Sequence, residues 1–246
     1  MCWNLEVSAA ISIFGFLTIL YLVIKKYPLA LIIPLTYFLL MEGLQALTYG
    51  VIDRCDLPIN QIYTLLGYFH ISFQPFFVNM LSLYFIPQYI SRKIYLLVYT
   101  LCGISAALML LDVYPFSWAE KCLPSRPLCG ETLCSLHGNW HIAWSIPLRF
   151  SWHTNITTTF SAFMLNPYTL TVFVLPILYG SYRFTIFHII FGPSLAYLLT
   201  KNMNEWPAIW CLISLYLILL AISTPFRSFM HVKSWFWWPL MNKNKN

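Results

Sequence analysis

The sequence predicts an all-α, polytopic integral membrane protein with about seven transmembrane helices. Hydrophobic residues make up 59% of the 246 residues and charged residues only 9%, whereas about 25% of a typical soluble domain is charged. Aromatic residues make up 18%, which is expected where many helix ends lie at the level of the lipid headgroups. A chain of this length has room for these spans if each takes ~20 residues and the loops are short.

Apolar stretches define the expected spans in chain order. They cover residues 8–24, 29–51, 61–86, 95–113, 163–181, 184–200 and 206–224. No basic segment precedes the first stretch, so we expect it to stay in the membrane rather than to be removed as a signal peptide. Pro34 and Pro176 fall inside two of the stretches and predict kinks, which are common in membrane helices.

The basic residues predict the orientation of the spans. Lys25 and Lys26 follow the first stretch, which favours an N-terminus outside and a C-terminus in the cytoplasm. The basic residues expected in the cytoplasm are Lys25, Lys26, Arg92, Lys93, Arg183, Arg227, Lys233, Lys243 and Lys245, and those expected outside are Arg54, Lys121, Arg126, Arg149 and Lys201. The net charge of +6 therefore reflects topology. We expect the lipid bilayer of a plasma or inner membrane as the partner, and no nucleic acid.

Two outer loops contain most of the cysteines. These are the long segment 114–162 and the short segment 53–56, and their cysteines are Cys55, Cys122, Cys129 and Cys134. An oxidising compartment would pair them, and the sequence leaves the three possible pairings open. Zinc binding is the alternative, although Cys-x-x-Cys spacing is missing. Its ligands would be Cys129, Cys134, His137 and His141. Cys102 and Cys211 are expected to be buried free thiols.

Short motifs near the predicted helix ends give further expectations. A part-helical piece in the outer interface is predicted by the aromatic residues Trp140, Trp144, Phe150 and Trp152. Asn155 with Thr157 fits a glycosylation sequon. The segment 204–207 predicts a helix start with Glu205 as an interfacial anion beside it. The tail, residues 225–246, contains three tryptophans between 235 and 238 and predicts an aromatic anchor at the inner face.

One segment of the sequence occurs twice. Residues 69–75 recur as residues 187–193, and each copy has a histidine followed five residues later by a proline. Matching proline-broken helices in two halves of a chain indicate an inverted repeat with a binding site between the halves. The halves would be 1–94 and 95–200, with three helices each and the seventh helix appended. Coincidence is the alternative, because Phe and Ile are common in this chain.

Ionisable side chains lie near the predicted midplane of the membrane, where they are costly and usually functional. The candidate binding residues are Glu42, Gln45, His70, Gln74 and His188. Each glutamine shares a helix face with the ionisable residue before it. Glu42, His70 and His188 could bind a proton, a polar substrate or a divalent metal ion, because two histidines and a carboxylate suit zinc or ferrous iron. Alternatively, each histidine bonds a carbonyl freed by a kink, and protonated Glu42 bonds a neighbour.

Several motifs resemble an uncharacterised family of small polytopic membrane proteins that begin Met-Cys-Trp. The motifs are Met1-Cys2-Trp3-Asn4, Glu42-Gly43-Leu44-Gln45, residues 179–184 and residues 205–211. The resemblance covers most of the chain. It implies a multi-span fold but carries no known activity and assigns no role to any residue.

The fold expectation favours a small secondary transporter with its site between the third and sixth helices. The first alternative is a membrane enzyme in which Glu42, His70 and His188 hold a metal ion that activates water against a lipid-soluble substrate. A receptor or assembly subunit without chemistry is the second alternative. The sequence identifies no catalytic residue, and it predicts a small molecule or an ion as the ligand.

Overall fold

The computed structural model describes residues 4–119, 121–122, 127–149 and 166–242, and of residues 241 and 242 only the backbone. The predicted glycosylation site Asn155 lies outside these ranges. The helices are α1 (Leu5–Ile24), α2 (Leu29–Tyr49), α3 (Pro58–Tyr84), α4 (Gln88–Val113), α5 (Pro167–Leu178), α6 (182–199), α7 (Trp206–Ile222), α8 (Thr224–Met230) and α9 (Trp238–Asn242). The strands are β1 (Cys134–His137) and β2 (Ile142–Ser145), which pair antiparallel as a hairpin. The described chain is therefore mostly helical, as predicted.

Three of the described helices, α1, α2 and α4, are long and apolar enough to cross a membrane. Counted as one bent span, α7 and α8 add a fourth, with 105° between their axes. The longest helix, α3, has 27 residues but carries the polar side chains Asn60, Gln74 and Asn79 along its length. By length and composition the structure thus provides three or four spans, and crossing by all seven predicted segments stays a prediction.

Large apolar side chains cover the outward faces of the helices. Leu198 on α6 is 77% exposed, Ile24 on α1 is 75% exposed and Leu96 on α4 is 69% exposed. In water, such a surface would be prone to aggregation. The acyl chains of a lipid bilayer would cover it at little cost, which agrees with the apolar composition of the sequence.

The hairpin end is our name for the group formed by the turn 50–57, the β-hairpin and the turn 200–205. The Asp53 N–H donates to the Ser135 carbonyl at 3.0 Å, and the Trp144 N–H donates to the Asn204 carbonyl at 3.0 Å. The Asn60 side chain on α3 also donates to the Ser135 carbonyl, at 3.1 Å. These long-range bonds hold four-residue strands that are too short to be stable as an isolated hairpin.

The disulfide prediction is confirmed. Cys55 is bonded to Cys134 and Cys122 to Cys129, so the zinc alternative is wrong because its two cysteines are not thiolates. Cys102 and Cys211 are free and buried, as expected.

The prediction of a part-helical piece is wrong for Trp140 and Trp144, and its other two residues, Phe150 and Trp152, lie outside the described residues. Trp144 lies in β2 and is buried, and Trp140 lies in the turn of the hairpin. A Cβ on Gly67 of α3 would lie 3.0 Å from the Trp144 ring. Trp144 therefore packs on α3 inside the protein.

The tail end is our name for the group formed by the turns 25–28, 85–87 and 178–181 and residues 223–238. The Val232 N–H donates to the Phe85 carbonyl at 2.9 Å. Arg183, at the start of α6, donates to the Phe229 carbonyl at 2.8 Å. Residues 223–238 thus lie across the turns that join the preceding helices.

The tryptophans of the tail bond the carboxyl end of α5. The indoles of Trp235 and Trp237 both donate to the Leu178 carbonyl, at 3.1 and 2.7 Å. The Trp238 indole donates to the Tyr179 carbonyl at 3.1 Å. Since the last carbonyls of a helix have no partner within it, the aromatic motif caps α5, a role that the sequence did not indicate.

The two copies of the repeated segment differ in backbone. Helix α3 is α-helical through Pro75, whereas α6 has a π-helical turn at Ile190–Ser194, around Pro193. In α3 the Asn79 side chain donates to the Pro75 carbonyl at 2.8 Å and to the Thr171 carbonyl of α5 at 2.9 Å. The described helices therefore give no support to an inverted repeat of 1–94 and 95–200.

Candidate functional site

Helix α7 is broken near its middle. Its first segment is Trp206–Trp210 and its second is Ile213–Ile222. Between them the Leu212 N–H donates to the Ile209 carbonyl at 2.9 Å, a bond between residues three apart. Such a tightened turn inside a helix often marks a hinge or a functional site. The sequence at the break, Trp210-Cys211-Leu212, contains no proline or glycine and therefore did not predict the break.

Two polar side chains of α2 contact α7 on either side of the break. Ser214 donates to one carboxyl oxygen of Glu42 at 3.1 Å, and the Gln45 side chain donates to the Ala208 carbonyl at 3.5 Å. The Cys211 thiol at the break donates to the Pro207 carbonyl at 3.1 Å. Glu42 and Gln45 are therefore brought together against α7, as their three-residue spacing on α2 predicts.

His188 of α6 reaches the same segment of α7 from another side. The Trp210 indole donates to His188 Nε2 at 2.8 Å. A Cβ on Gly192 would lie 2.5 Å from the Trp210 indole nitrogen, so glycine at this position allows the ring to pack on α6. Gly192 in the second copy of the repeated segment corresponds to Gln74 in the first copy. The close packing of the Trp210 ring accounts for the glycine there.

Gln74 of α3 joins this cluster through two aromatic residues. The Tyr168 hydroxyl on α5 donates to Gln74 Oε1 at 2.8 Å, and the Tyr168 ring meets the Trp210 ring edge-on, with centroids 5.8 Å apart. The polar cluster, as we call it, consists of Glu42, Gln45, Gln74, Tyr168, His188, Trp210 and Ser214. It joins α2, α3, α5, α6 and α7.

Three polar atoms of the polar cluster have no hydrogen-bond partner among the described residues. They are Glu42 Oε2, Gln45 Oε1 and His188 Nδ1, and all three are buried. Leaving a buried polar atom without a bond costs ~1–3 kcal/mol. The two oxygens can therefore accept bonds from a proton, a cation or a polar solute, and the Nδ1–H of neutral His188 can donate one to a solute.

His70 lies elsewhere. Its ring stacks on Tyr37 of α2 with centroids 3.9 Å apart. The side chains of His70 and His188 are both described, and no hydrogen bond or ring contact joins them. It lines an open groove of about 580 Å³. The other lining residues are Tyr37, Leu66, Phe69, Phe73, Phe76, Phe77, Met80 and Tyr99. A site shared by the two histidines stays a prediction.

The predicted metal ligands are not grouped. In the described ranges, no three or more His, Cys, Asp or Glu side chains are placed to hold a metal ion, and Glu42, His70 and His188 all lie within those ranges. The metal interpretation of these three residues therefore has no support in their positions.

Glu205 was interpreted from sequence as an interfacial anion beside a helix start, but it is buried and makes no capping bond in α7. Its carboxylate accepts backbone N–H bonds from Asn139 at 2.8 Å, Trp140 at 2.8 Å and His141 at 3.3 Å. A Cβ on Gly138 would lie 2.4 Å from the Glu205 carboxyl carbon. Glu205 therefore locks the hairpin turn onto the start of α7.

His141 is buried beside this turn. The Ile142 N–H donates to His141 Nδ1 at 2.8 Å, and the Tyr49 hydroxyl lies 3.0 Å from the same nitrogen. Burial lowers the pKa of His141 to about 3, because removal from water disfavours the charged imidazolium. The neutral ring is therefore the form that fits here.

A family model matches residues 6–231, with the description "Family of unknown function (DUF5765)". The chain belongs to this family. No curated protein and no solved structure matches it. The DUF5765 match spans every residue of the polar cluster, so the cluster lies within the region that defines the family.

Proposed function

We propose that this DUF5765 protein is a seven-span membrane protein that works as a small secondary transporter, with its N-terminus outside and its C-terminus in the cytoplasm of a plasma or inner membrane. The polar cluster is its binding site and Glu42 its proton-carrying group. The observation that carries the proposal is the buried Glu42 carboxyl beside the break in α7, with Oε2 unbonded among the described residues. Transporters commonly bind solutes where helices are interrupted near the midplane.

The two ends of the bundle favour seven crossings. The turns after α2 and α6 belong to the hairpin end, and the turns after α1, α3 and α5 belong to the tail end. Successive helices from α1 to α7 therefore alternate in direction. Basic residues at the tail end, among them Lys25, Lys26 and Arg183, favour a cytoplasmic location for it.

The chemistry proposed for Glu42 follows from its two oxygens. Oε1 accepts the Ser214 hydroxyl, which fixes the carboxyl group, and Oε2 takes up and releases the proton. Gln45 Oε1 accepts a hydrogen bond from a polar solute, and the Nδ1–H of neutral His188, whose Nε2 accepts the Trp210 indole, donates one to it. The break in α7 lets its two segments move separately, so the site can open toward either end in turn.

Proton movement in proteoliposomes tests this proposal. The purified full chain is reconstituted with a pH-sensitive dye inside, and amino acids, sugars, nucleosides and organic acids are added outside in turn. We expect one class of solute to acidify the interior faster than in empty liposomes. If no solute class moves protons above that background, the transporter assignment fails.

Two variants separate the role of Glu42 from a general charge effect. Glu42→Gln keeps an oxygen to accept the Ser214 hydroxyl but cannot carry a proton, and we expect it to abolish solute-driven proton movement. Glu6→Gln makes the same change at an exposed position of α1 and should leave the movement unchanged. Full movement in Glu42→Gln would exclude Glu42 as the carrier.

The aromatic groove beside His70 favours a second candidate function, which is binding of a lipid-soluble small molecule. Phe69 and Phe73 at its rim are 38% and 41% exposed, and His70 Nε2 has no hydrogen-bond partner in the part of the chain that the structure describes. A planar apolar molecule with one hydroxyl group would therefore suit the groove. Photo-crosslinking with a diazirine-bearing hydrophobic alcohol should label residues 66–80. Labelling spread evenly over the exposed faces of the helices would contradict a specific groove.

A further inference from the structure

Arg227, in the last turn of α8, is a buried cation for which no described residue supplies a carboxylate partner. It is 8% exposed. Its guanidinium donates to the Ala221 carbonyl, to the Tyr27 hydroxyl at 3.2 Å and to the Thr224 hydroxyl at 3.0 Å. The guanidinium carbon lies 4.7 Å from the centroid of the Tyr27 ring. Neutral oxygens and a ring face surround the charge but do not neutralise it.

No acidic residue that the structure describes lies at the tail end. The described acidic residues are Glu6, Glu42, Asp53, Asp56, Asp112, Glu131 and Glu205. Among the described residues, Asp53 contacts His137, and both belong to the hairpin end and not to the tail end. A buried charge is costly unless it is paired, and the described chain supplies no counter-charge for Arg227.

Further positive charge surrounds Arg227. Exposed Lys25 and Lys26 directly precede Tyr27 in sequence. Arg183 donates to the His231 carbonyl at 3.2 Å, just beyond α8. Partial burial lowers the pKa of His231, and the nearby Arg227 charge lowers it further. The region therefore attracts an anion.

The chemistry of the site fits a phosphodiester. An arginine has five N–H donors, of which Ala221, Tyr27 and Thr224 take three. The other two can donate to a phosphate oxygen in charge-assisted bonds, which are about twice as strong as neutral ones. The cytoplasmic leaflet supplies anionic phospholipids at the depth where helices end, and basic pockets there bind their headgroups. We propose that Arg227, assisted by Lys25 and Lys26, binds the phosphate of an anionic phospholipid headgroup at the tail end. This rests on the proposed placement of the tail end at the cytoplasmic surface of the membrane.

Native mass spectrometry of the full chain in detergent tests the site with defined lipids. Phosphatidylglycerol, phosphatidylcholine and inorganic phosphate are added separately to lipid-stripped protein. We expect phosphatidylglycerol to be retained about tenfold more strongly than phosphatidylcholine, the factor that 1.4 kcal/mol represents. Equal retention of the two lipids would overturn the proposal. Retention of inorganic phosphate as strong as that of phosphatidylglycerol would assign the site to a soluble anion and overturn it too.

Matched variants test whether the preference for phosphatidylglycerol depends on Arg227. Arg227→Gln should retain the two lipids about equally, whereas Arg92→Gln, which removes one exposed charge from the start of α4, should keep the preference. Equal losses in both variants would indicate diffuse attraction and not a site. If Arg227→Gln does not fold, the wild-type comparison of the two lipids decides alone.

The failure of this site and the failure of the transporter are distinguishable. Transport measured in liposomes of pure phosphatidylcholine does not depend on an anionic headgroup. Solute-driven proton movement there, together with equal retention of both lipids, would reject the headgroup site and leave the transporter proposal intact. Selective retention of phosphatidylglycerol without any solute-driven proton movement would support the headgroup site and reject the transporter proposal.

Discussion

Ser214 and Glu42 are 172 positions apart in sequence, yet the Ser214 hydroxyl donates to a carboxyl oxygen of Glu42 at 3.1 Å inside the bundle. Both side chains are buried, with 1% and 0% of their surfaces exposed. The bond joins α2 to the second segment of α7, directly after the break. It therefore fixes both the orientation of the carboxyl group and the position of the broken helix.

The first prediction concerns this bond. Ser214→Ala leaves Glu42 Oε1 buried without a donor, and we expect it to lower the free energy of unfolding by ~1–3 kcal/mol. Denaturant titration in detergent micelles measures the change. Ser228→Ala, at an exposed position of α8, is the control and should have little effect. Equal stability of Ser214→Ala and the wild type would show that the carboxyl finds another donor.

The second prediction concerns Glu205. Glu205→Gln replaces one carboxylate oxygen with an NH₂ group, which cannot accept the backbone N–H bonds that now converge on the carboxylate. We expect a loss of ~1–3 kcal/mol in the free energy of unfolding, because buried donors are left unpaired. Glu131→Gln, in an exposed turn, should change stability little. If both variants unfold alike, Glu205 does not lock the hairpin turn.

Glu205 also shows where sequence reasoning reached its limit. Its position before a proline-initiated helix predicts a residue at a helix start, and it is one. Besides the Thr200 hydroxyl, however, it accepts bonds from backbone groups 64 to 66 positions away, and local spacing carries no information about these. The hairpin was not predicted for the same reason. Its four-residue strands depend on distant residues, through bonds from Asn60 and the Cys55–Cys134 disulfide.

Predictions that rest on composition or on short spacing fared better. The four cysteines of the two loop segments pair as expected, a prediction that needed only their number and their position outside the apolar stretches. Glu42 and Gln45 share a face of α2, because residues three apart on a helix always do. The different environments of His70 and His188 could not be foreseen, because the repeated motif does not specify which neighbouring helix packs on each copy.

The third prediction compares the two disulfides. Cys55–Cys134 spans 79 positions and Cys122–Cys129 spans 7. In the chain-entropy model, the longer loop is expected to contribute about 2 kcal/mol more to the free energy of unfolding. Denaturant titration of the two double alanine variants, each lacking one pair, measures the difference. A larger loss from the Cys122–Cys129 pair would indicate that enthalpic effects in the folded hairpin dominate.

The fourth prediction concerns pH. The pKa of buried His141 is lowered to about 3, from 6.5 in the unfolded chain. As pH falls below 6.5, the unfolded chain takes up a proton that the folded chain does not, so stability is lost between 6.5 and 3 and is unaffected above 6.5. At pH 5 we expect a loss of about 2 kcal/mol from this group relative to pH 8.

His141→Asn isolates that contribution. The asparagine side chain can still accept the Ile142 N–H but does not titrate, so the difference in unfolding free energy between wild type and variant should shift by this amount between pH 8 and pH 5. Denaturant titrations of both proteins at the two pH values measure the shift. A constant difference would show that His141 becomes protonated in the folded state.

The last prediction uses the two histidines of the repeated segment. His188 accepts the Trp210 indole within the polar cluster, whereas His70 stacks on Tyr37 beside the groove. Because these contacts involve different partners, the changes in unfolding free energy of His70→Ala and His188→Ala should add to within ~0.5 kcal/mol in the double variant. In the proteoliposome assay, His188→Ala should reduce solute-driven proton movement and His70→Ala should not. A coupling of ~1 kcal/mol or more, with the same loss of transport in both single variants, would instead establish a site shared by the two histidines and would move the proposed binding site from the α7 break to a position between α3 and α6.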